Sequence, residues 1–232
     1  MTPPEIPSLR EPVGLFPLPN VVLFPRTTVP LQIFEPRYRA MVCDALRGDG
    51  LIAMAMLRPG YEGKYYTNLA EISPIVCVGH IREHVKTSDG RYLINLTGVC
   101  RARVLEEDRD GEYRLAYLEP IIPPQSAVIT DGEYAARMAL QRVTQLPLLR
   151  QLPNADRCEA LFQSQSPLSD IVDLMAALLL PPDEIEIRQQ LLEELEVITR
   201  ANRLVAHLDT LHEALERQQR QLSQWPRMGS LN

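Results

Sequence analysis

From Gly14 to Arg39 the chain reads GLFPLPNVVLFPRTTVPLQIFEPRYR, with prolines at 17, 19, 25, 30 and 36. Each proline fixes φ and removes a backbone donor, so this stretch is neither one long helix nor a central strand. Yet Leu15, Phe16, Leu18, Val21, Val22, Leu23, Phe24, Val29, Leu31, Ile33 and Phe34 give it far more apolar surface than an exposed proline-rich linker carries. The run therefore reads as core, folded into short strands with sharp corners, its prolines marking turns and strand edges.

The pattern that follows is first β-like and then helical. Pro36 and the RYRAMVCDALR that follows it read as a short helix with proline in its first turn and Gly48 after its last periodic residue. LIAMAMLR (51–58) is a continuous apolar run of strand length, which predicts a strand covered on both sides. Residues 70–87 and 91–105 flank a Ser-Asp-Gly turn and predict a long hairpin, with bulges or bends at Gly79 and Gly98. YRLAYLEPI (113–121) reads as a further strand. Beyond Pro120, Pro123 and Pro124 the period changes to that of a helix. Residues 131–146 carry Tyr134, Met138 and Val143, with Asp131 as the expected N-cap. Residues 166–180 open on Ser166-Pro167 and end at Pro181-Pro182. From 183 to about 221 runs a leucine-rich stripe with an expected bend near 197–199. At 232 residues the chain can hold two cores. The expected division is a β-domain over 12–124, an α-helical domain over 125–222 and a flexible tail over 223–232.

The totals exclude several classes. The longest apolar run, Ile171–Leu180, is too short to cross a bilayer and contains Asp173. The opening MTPPEIPSLREPVG has neither a basic nor an apolar region of an export signal, so a cytoplasmic location is expected. Cys43, Cys77, Cys100 and Cys158 are far apart with no C-x-x-C pair, which favours reduced, buried thiols over a metal site. Residues 1–130 hold 14 Lys/Arg against 15 Asp/Glu, and residues 131–232 hold 10 against 15. Neither part has the basic excess that a phosphate backbone calls for.

The run LFPLPNVVLFPRTTVPLQIFEPRYRAMV, followed by GHI and DGRYLINLTGVCRARVLE, resembles the N-terminal substrate-recognition domain of the Lon ATP-dependent proteases. It is most similar to standalone bacterial proteins carrying that domain, and also resembles the middle region of cereblon. The resemblance covers residues 12–120 and more loosely the helices to about 215. It implies an α+β fold: an N-terminal β-rich, PUA-like pseudo-barrel domain wrapping a short helix, followed by a C-terminal α-helical bundle. It also implies a part that holds unfolded polypeptide. The chain contains no G-x-x-x-x-G-K-[ST] sequence and nothing like the family's proteolytic serine region, and it ends where the ATPase would begin. A non-enzymatic role with no cofactor and no metal is therefore expected.

Candidate binding residues follow from side-chain type and place. Tyr61, Tyr65 and Tyr66 lie in a turn-rich loop at 58–68 and offer apolar area with a polar tip, suited to a polypeptide. Phe16, Phe24 and Phe34 can line a groove or serve as core. Arg37 can rim such a groove or, as charged groups at tight corners usually do, hold the corner itself. His80, His84, His207 and His212 read as structural or surface groups, since Cys77 and His80 fall on opposite faces of a regular strand. The leading reading is a non-catalytic module for unfolded or extended polypeptide segments, or for a quality-control partner, with Tyr61, Tyr65, Tyr66, Phe34 and Arg37 as its candidate contacts. The alternatives are an RNA-binding PUA-like protein, resting on Arg82, Lys86, Arg101 and Arg103 as exposed cations, and a peptidase. The leucine stripe of the last helix permits self-association or an intramolecular bundle alike.

Overall fold

The computed structural model describes residues 9–123, 129–163 and 166–224. Six strands, β1 (Val13–Leu18), β2 (Thr28–Ile33), β3 (Leu51–Met56), β4 (Ile75–Lys86), β5 (Tyr92–Asp108) and β6 (Leu115–Ile121), form one mixed sheet in the order β2-β5-β4-β3-β1-β6. β6 also pairs with the second half of β5, from Arg101 to Asp108, and so closes five of the strands on themselves. β2 stays outside this closure, paired only along the first half of β5. Among the described residues only β1 and β3 run parallel.

Side-chain size explains the tight closure. Leu15, Ala53, Ala55, Val76, Val78, Cys100, Ala102, Ala116 and Leu118 form one buried cluster, and the many small residues let the strands approach closely. The opposite faces of the same strands, with Phe16, Ile52, Met54 and Cys77, belong to a second cluster. That cluster takes in Tyr38, Met41 and Val42 from α1 (Pro36–Arg47) and continues into the C-terminal helices. The apolar run 51–56 is thus covered on both sides, as its continuous pattern predicts. At Gly98, where β4 and β5 cross under the proline-rich loop, a Cβ would lie 2.2 Å from the Phe24 carbonyl oxygen. The register shifts at Val78/Gly79, opposite Gly98, as expected from two glycines inside long strands.

The helices are α2 (Asp131–Thr144), α3 (Ala155–Gln163), α4 (Leu168–Leu179), α5 (Ile185–Glu193) and α6 (Val197–Gln224). α2 starts one residue earlier than the sequence suggests. Thr130, not Asp131, is its N-cap, in a reciprocal capping box with Glu133. Its buried face is Ala136, Leu140 and Val143, whereas Tyr134 and Met138 point outward. α3 has no counterpart among the expected elements; its nine residues are too short for a clear period. The expected bend near 197–199 is a break: α5 ends at Glu193, and the Glu196 carboxylate accepts from the amides of Ile198 and Thr199 to start α6. The boundary at 124–125 and most of the tail at 223–232 fall outside the described residues. Among the described residues no helix is long and apolar enough to cross a membrane.

Candidate functional site

The five expected contact residues gather where β2 turns into α1. Between Ile33 and Pro36 the chain makes a corner at Phe34 and Glu35, and the loop joining β3 to β4 folds against it. Arg37 is the bolt. Its Nε donates to Glu35 Oε2 at 3.0 Å, its Nη2 to the Tyr65 carbonyl at 3.0 Å and its Nη1 to the Thr67 carbonyl at 3.4 Å. The guanidinium also lies 4.4 Å above the Tyr38 ring. Tyr65 in turn donates its hydroxyl to Glu35 Oε1 at 3.5 Å, and burial followed by the Glu35 charge raises its pKa.

The tyrosines form a chain of edge contacts. Tyr61 and Tyr65 have ring centroids 6.1 Å apart, and Tyr65 and Tyr66 meet edge to face at 5.0 Å. Tyr61 and Tyr65 also pack against the cluster inside the closed strands. Their apolar area is already used. Tyr66 is 83% exposed and Phe34 62% exposed, with Leu69 exposed as well. The loop's far end is tied down by Asn68, which donates to the Arg109 and Gly111 carbonyls at 3.0 and 3.1 Å. It is also tied by Arg114, a buried side chain that the sequence does not single out, which donates to the Ala70 carbonyl at 2.8 Å and to Glu107 at 2.9 Å. Of the five residues, Arg37, Tyr61 and Tyr65 therefore build the corner, while Phe34 and Tyr66 face solvent. Phe16 and Phe24 are core.

The family model of the ATP-dependent protease La (LON) substrate-binding domain matches residues 12–210. The chain belongs to this family. It is 26% identical over 215 residues to a Lon protease of Anaeromyxobacter dehalogenans, covering 91% of this chain and 24% of that one, and 25% identical over 211 residues to Lon protease 2 of Myxococcus xanthus, covering 90% and 25%. It thus spans about a quarter of the length of these curated relatives. The fold is shared with the crystal structure of a Lon N-terminal domain protein from Xanthomonas campestris (TM-score 0.60, 21% identity, covering 84% of this chain and 98% of that one). It is likewise shared with the N-terminal domain of the Mycobacterium avium complex Lon protease (TM-score 0.66, 17% identity, covering 86% and 98%).

In this Lon substrate-binding domain, a groove that the sequence reading did not identify lies along the strand that leads to Phe34. A shallow depression of about 370 Å³ crosses β2, β5 and β4, and its floor includes Pro30, Gln32, Val85, Leu93 and Asn95. Val85 and Leu93 are exposed partners across β4 and β5, and Leu93 pairs with Gln32 on β2. Phe34 lies one residue past the end of β2, between the groove and the tyrosine loop, and is itself exposed. The signal was present in the sequence: Leu93 sits at a solvent position, alternating with buried Tyr92, Ile94 and Leu96.

The groove adjoins an open sheet edge. Gly98 donates to the Thr27 carbonyl at 2.8 Å, and the Thr28 and Thr97 hydroxyls meet at 2.8 Å, as expected of a close, non-hydrogen-bonded pair. Alternation along the ladder then turns the backbone of Thr28, Pro30 and Gln32 away from β5. Pro30 supplies no donor there, which blunts the edge without closing it.

The basic residues do not assemble as the RNA reading requires. Arg101, expected on the surface, is 6% exposed and forms a bidentate pair with Asp173 of α4, at 2.6 and 2.8 Å. Desolvating a lone guanidinium is costly, and a carboxylate placed on the packed helix offsets part of that cost. Arg103 faces Glu119 at 3.8 Å, and Lys86 lies 5.4 Å above the Tyr92 ring. The histidines do not form a catalytic set either. His80 is half-buried with an unpartnered Nδ1, His84 is exposed, and His207 contacts Glu184 at 2.5 Å. Cys77, Cys100 and Cys158 are buried free thiols whose pKa burial raises, to about 11 for Cys100 and Cys158. Cys43 is only half-buried. Among the described residues no group of three or more His, Cys, Asp or Glu side chains is placed to hold a metal ion.

Proposed function

We propose that this chain is a non-catalytic module that binds extended or unfolded polypeptide, with the β-rich part as receptor and the helical part as its buttress. The observation that carries the reading is the conjunction of exposed apolar residues, Pro30, Leu93 and Val85 in the groove and Phe34 just past the end of β2, with the edge position of β2 in the sheet. An extended segment laid along β2 pairs its backbone with Thr28 and Gln32, while every second side chain enters the groove. Most folded proteins cover or blunt their strand edges and so offer no free strand. Covering Phe34 and Leu93 contributes roughly 3 kcal/mol together. Main-chain pairing adds to this against the cost of ordering the segment, which sets an affinity of about 10–100 μM. Tyr66, and behind it the Tyr61, Tyr65 and Arg37 corner, extends the surface at one end. The similarity to Lon proteases supports a cytoplasmic role in protein quality control, with polypeptide as the ligand and no chemistry performed by this chain.

The test is fluorescence anisotropy with a labelled polypeptide that is permanently unfolded by reduction and alkylation, set against the same protein in its native, disulfide-bonded form. Phe34→Ser and Leu93→Ser each weaken binding of the unfolded probe, and the double variant weakens it by about tenfold or more, with the thermal midpoint within about 2 °C of the parent. Equal binding of the native probe, or unchanged affinity in the double variant, rules the proposal out.

A further inference from the structure

A second concavity lies between the strands and the helices, away from the β2 edge. It is a cleft of about 110 Å³ whose mouth is apolar, formed by Ile121, Ile122, Pro123 and Leu195. Its wall is charged. Arg26, Arg101 and Arg200 face it together with Asp170 and Asp173. Ser169 and Asp170 belong to the first turn of α4, so the positive end of that helix also borders the cleft.

These charges do not cancel. Arg101 and Asp173 satisfy each other in a bidentate pair, and Arg101 donates further to the Leu192 carbonyl at 2.9 Å. Arg26 Nε lies 2.7 Å from Asp170 Oδ2. Arg200 has only a share of Asp173, whose two oxygens Arg101 already holds. It is 2% exposed; its Nη1 donates to the Glu194 carbonyl at 2.5 Å, while its Nε, 3.3 Å from Asp173 Oδ1, is buried without a hydrogen-bond acceptor. Burial pushes its pKa down to about 10 against the pull of Asp173, the sign of a cation short of compensation. The nearby carboxylates are committed elsewhere: Glu194 to the Glu196 amide and Arg203, and Glu196 to the start of α6.

We propose that this cleft binds a carboxylate carried on a short apolar stem, its oxygens meeting Arg200 and the first turn of α4 and its stem lying between Ile121, Ile122 and Leu195. A monoanion balances the one surplus guanidinium. A phosphate dianion brings a second charge into contact range of Asp170 and Asp173 and is disfavoured. Such a group belongs to a free short-chain acid or to the C-terminus of a polypeptide that ends in an apolar residue. The inference is independent of the β2 groove.

The experiment uses the full chain and butyrate, followed through the Arg200 Nε–H resonance by two-dimensional proton–nitrogen NMR. Butyrate shifts this resonance with an apparent Kd of about 1 mM, while neutral butyramide leaves it in place. Ile122→Glu, at an exposed position where folding is not at risk, weakens butyrate at least about tenfold by setting a like charge at the mouth. Arg200→Gln lacks the reporting Nε–H and is followed through the backbone amide resonance of Ile122 instead, where butyrate no longer causes a shift; if this variant does not fold, Ile122→Glu carries the test alone. Phe34→Ser leaves butyrate binding unchanged. To separate the sources, a short peptide ending in leucine is compared with its C-terminal amide. Competition by the free-acid peptide alone identifies a polypeptide terminus, and no competition identifies a free acid. The proposal fails if butyrate does not move the resonance, if butyramide moves it equally, or if inorganic phosphate binds more tightly than butyrate.

Discussion

Removing the Asp173 carboxylate tests how the strands are held to the helices. Asp173 is 2% exposed, accepts both terminal nitrogens of Arg101 at 2.6 and 2.8 Å, and lies 3.3 Å from Arg200 Nε. Asp173→Ala therefore leaves two buried guanidinium groups without their shared carboxylate. Breaking one buried pair typically costs about 3–5 kcal/mol. Two opposing corrections apply here: a second cation loses its counter-charge, but Arg101 keeps the Leu192 carbonyl and Arg200 the Glu194 carbonyl. A loss of about 4 kcal/mol follows, equivalent to a fall of roughly 8–16 °C in thermal midpoint for a chain of this size. Urea unfolding followed by circular dichroism at neutral pH gives the value directly, with an unchanged slope confirming that the same cooperative unit unfolds. The triple replacement Arg101→Met, Asp173→Leu, Arg200→Met, which removes all three charges for apolar groups of similar size, recovers at least half of the loss. A loss below about 1 kcal/mol for Asp173→Ala would refute the reasoning, because it would mean that water already reaches the two arginines.

Three further outcomes are expected. Gly98→Ala forces a Cβ to within 2.2 Å of the Phe24 carbonyl oxygen, a backbone contact that no rotamer relieves, and lowers stability by about 2 kcal/mol or more in the same urea assay. Arg37→Ala frees the Tyr65 and Thr67 carbonyls and raises amide exchange across residues 58–69 while leaving exchange in β4 and β5 unchanged; uniform exchange in both regions would remove Arg37 from its bolting role. His80 gives a pH dependence. Burial, followed by the Arg82 charge, lowers its pKa from 6.5, and its Nδ1 has no partner. The folded state then binds fewer protons than the unfolded one, so the penalty is full below the folded pKa and vanishes as pH rises past the unfolded value. His80→Gln accordingly flattens the rise in thermal midpoint as pH climbs toward the unfolded value of about 6.5; parallel curves for parent and variant would refute the burial penalty.

The sequence by itself determined the local order of this protein. Prolines at 17, 25, 30 and 36 dictate short strands and the start of α1, because a ring that fixes φ and removes a donor acts wherever it sits. The alternation of Tyr92, Ile94 and Leu96 gives β5 its buried face, and Gly79 and Gly98 mark the irregular crossing of two long strands. These signals act over a few residues, and together with the ordered motifs from 12 to 120 they sufficed for the family. What only the tertiary structure decided is where identical residue types end up. Phe16 and Phe24 are core while Phe34 is exposed, because β2 stops at the sheet edge and, among the described residues, no strand pairs beyond it. Arg101 looks like a surface cation on an alternating strand until α4 brings Asp173 onto it from 72 residues away. Arg37, Tyr61 and Tyr65 were legible as a group, but their division into a corner that holds and a Phe34–Tyr66 surface that faces solvent was not. The physical reason is the same each time: burial and charge compensation depend on contacts between distant segments, and the local pattern specifies the element without specifying its partner.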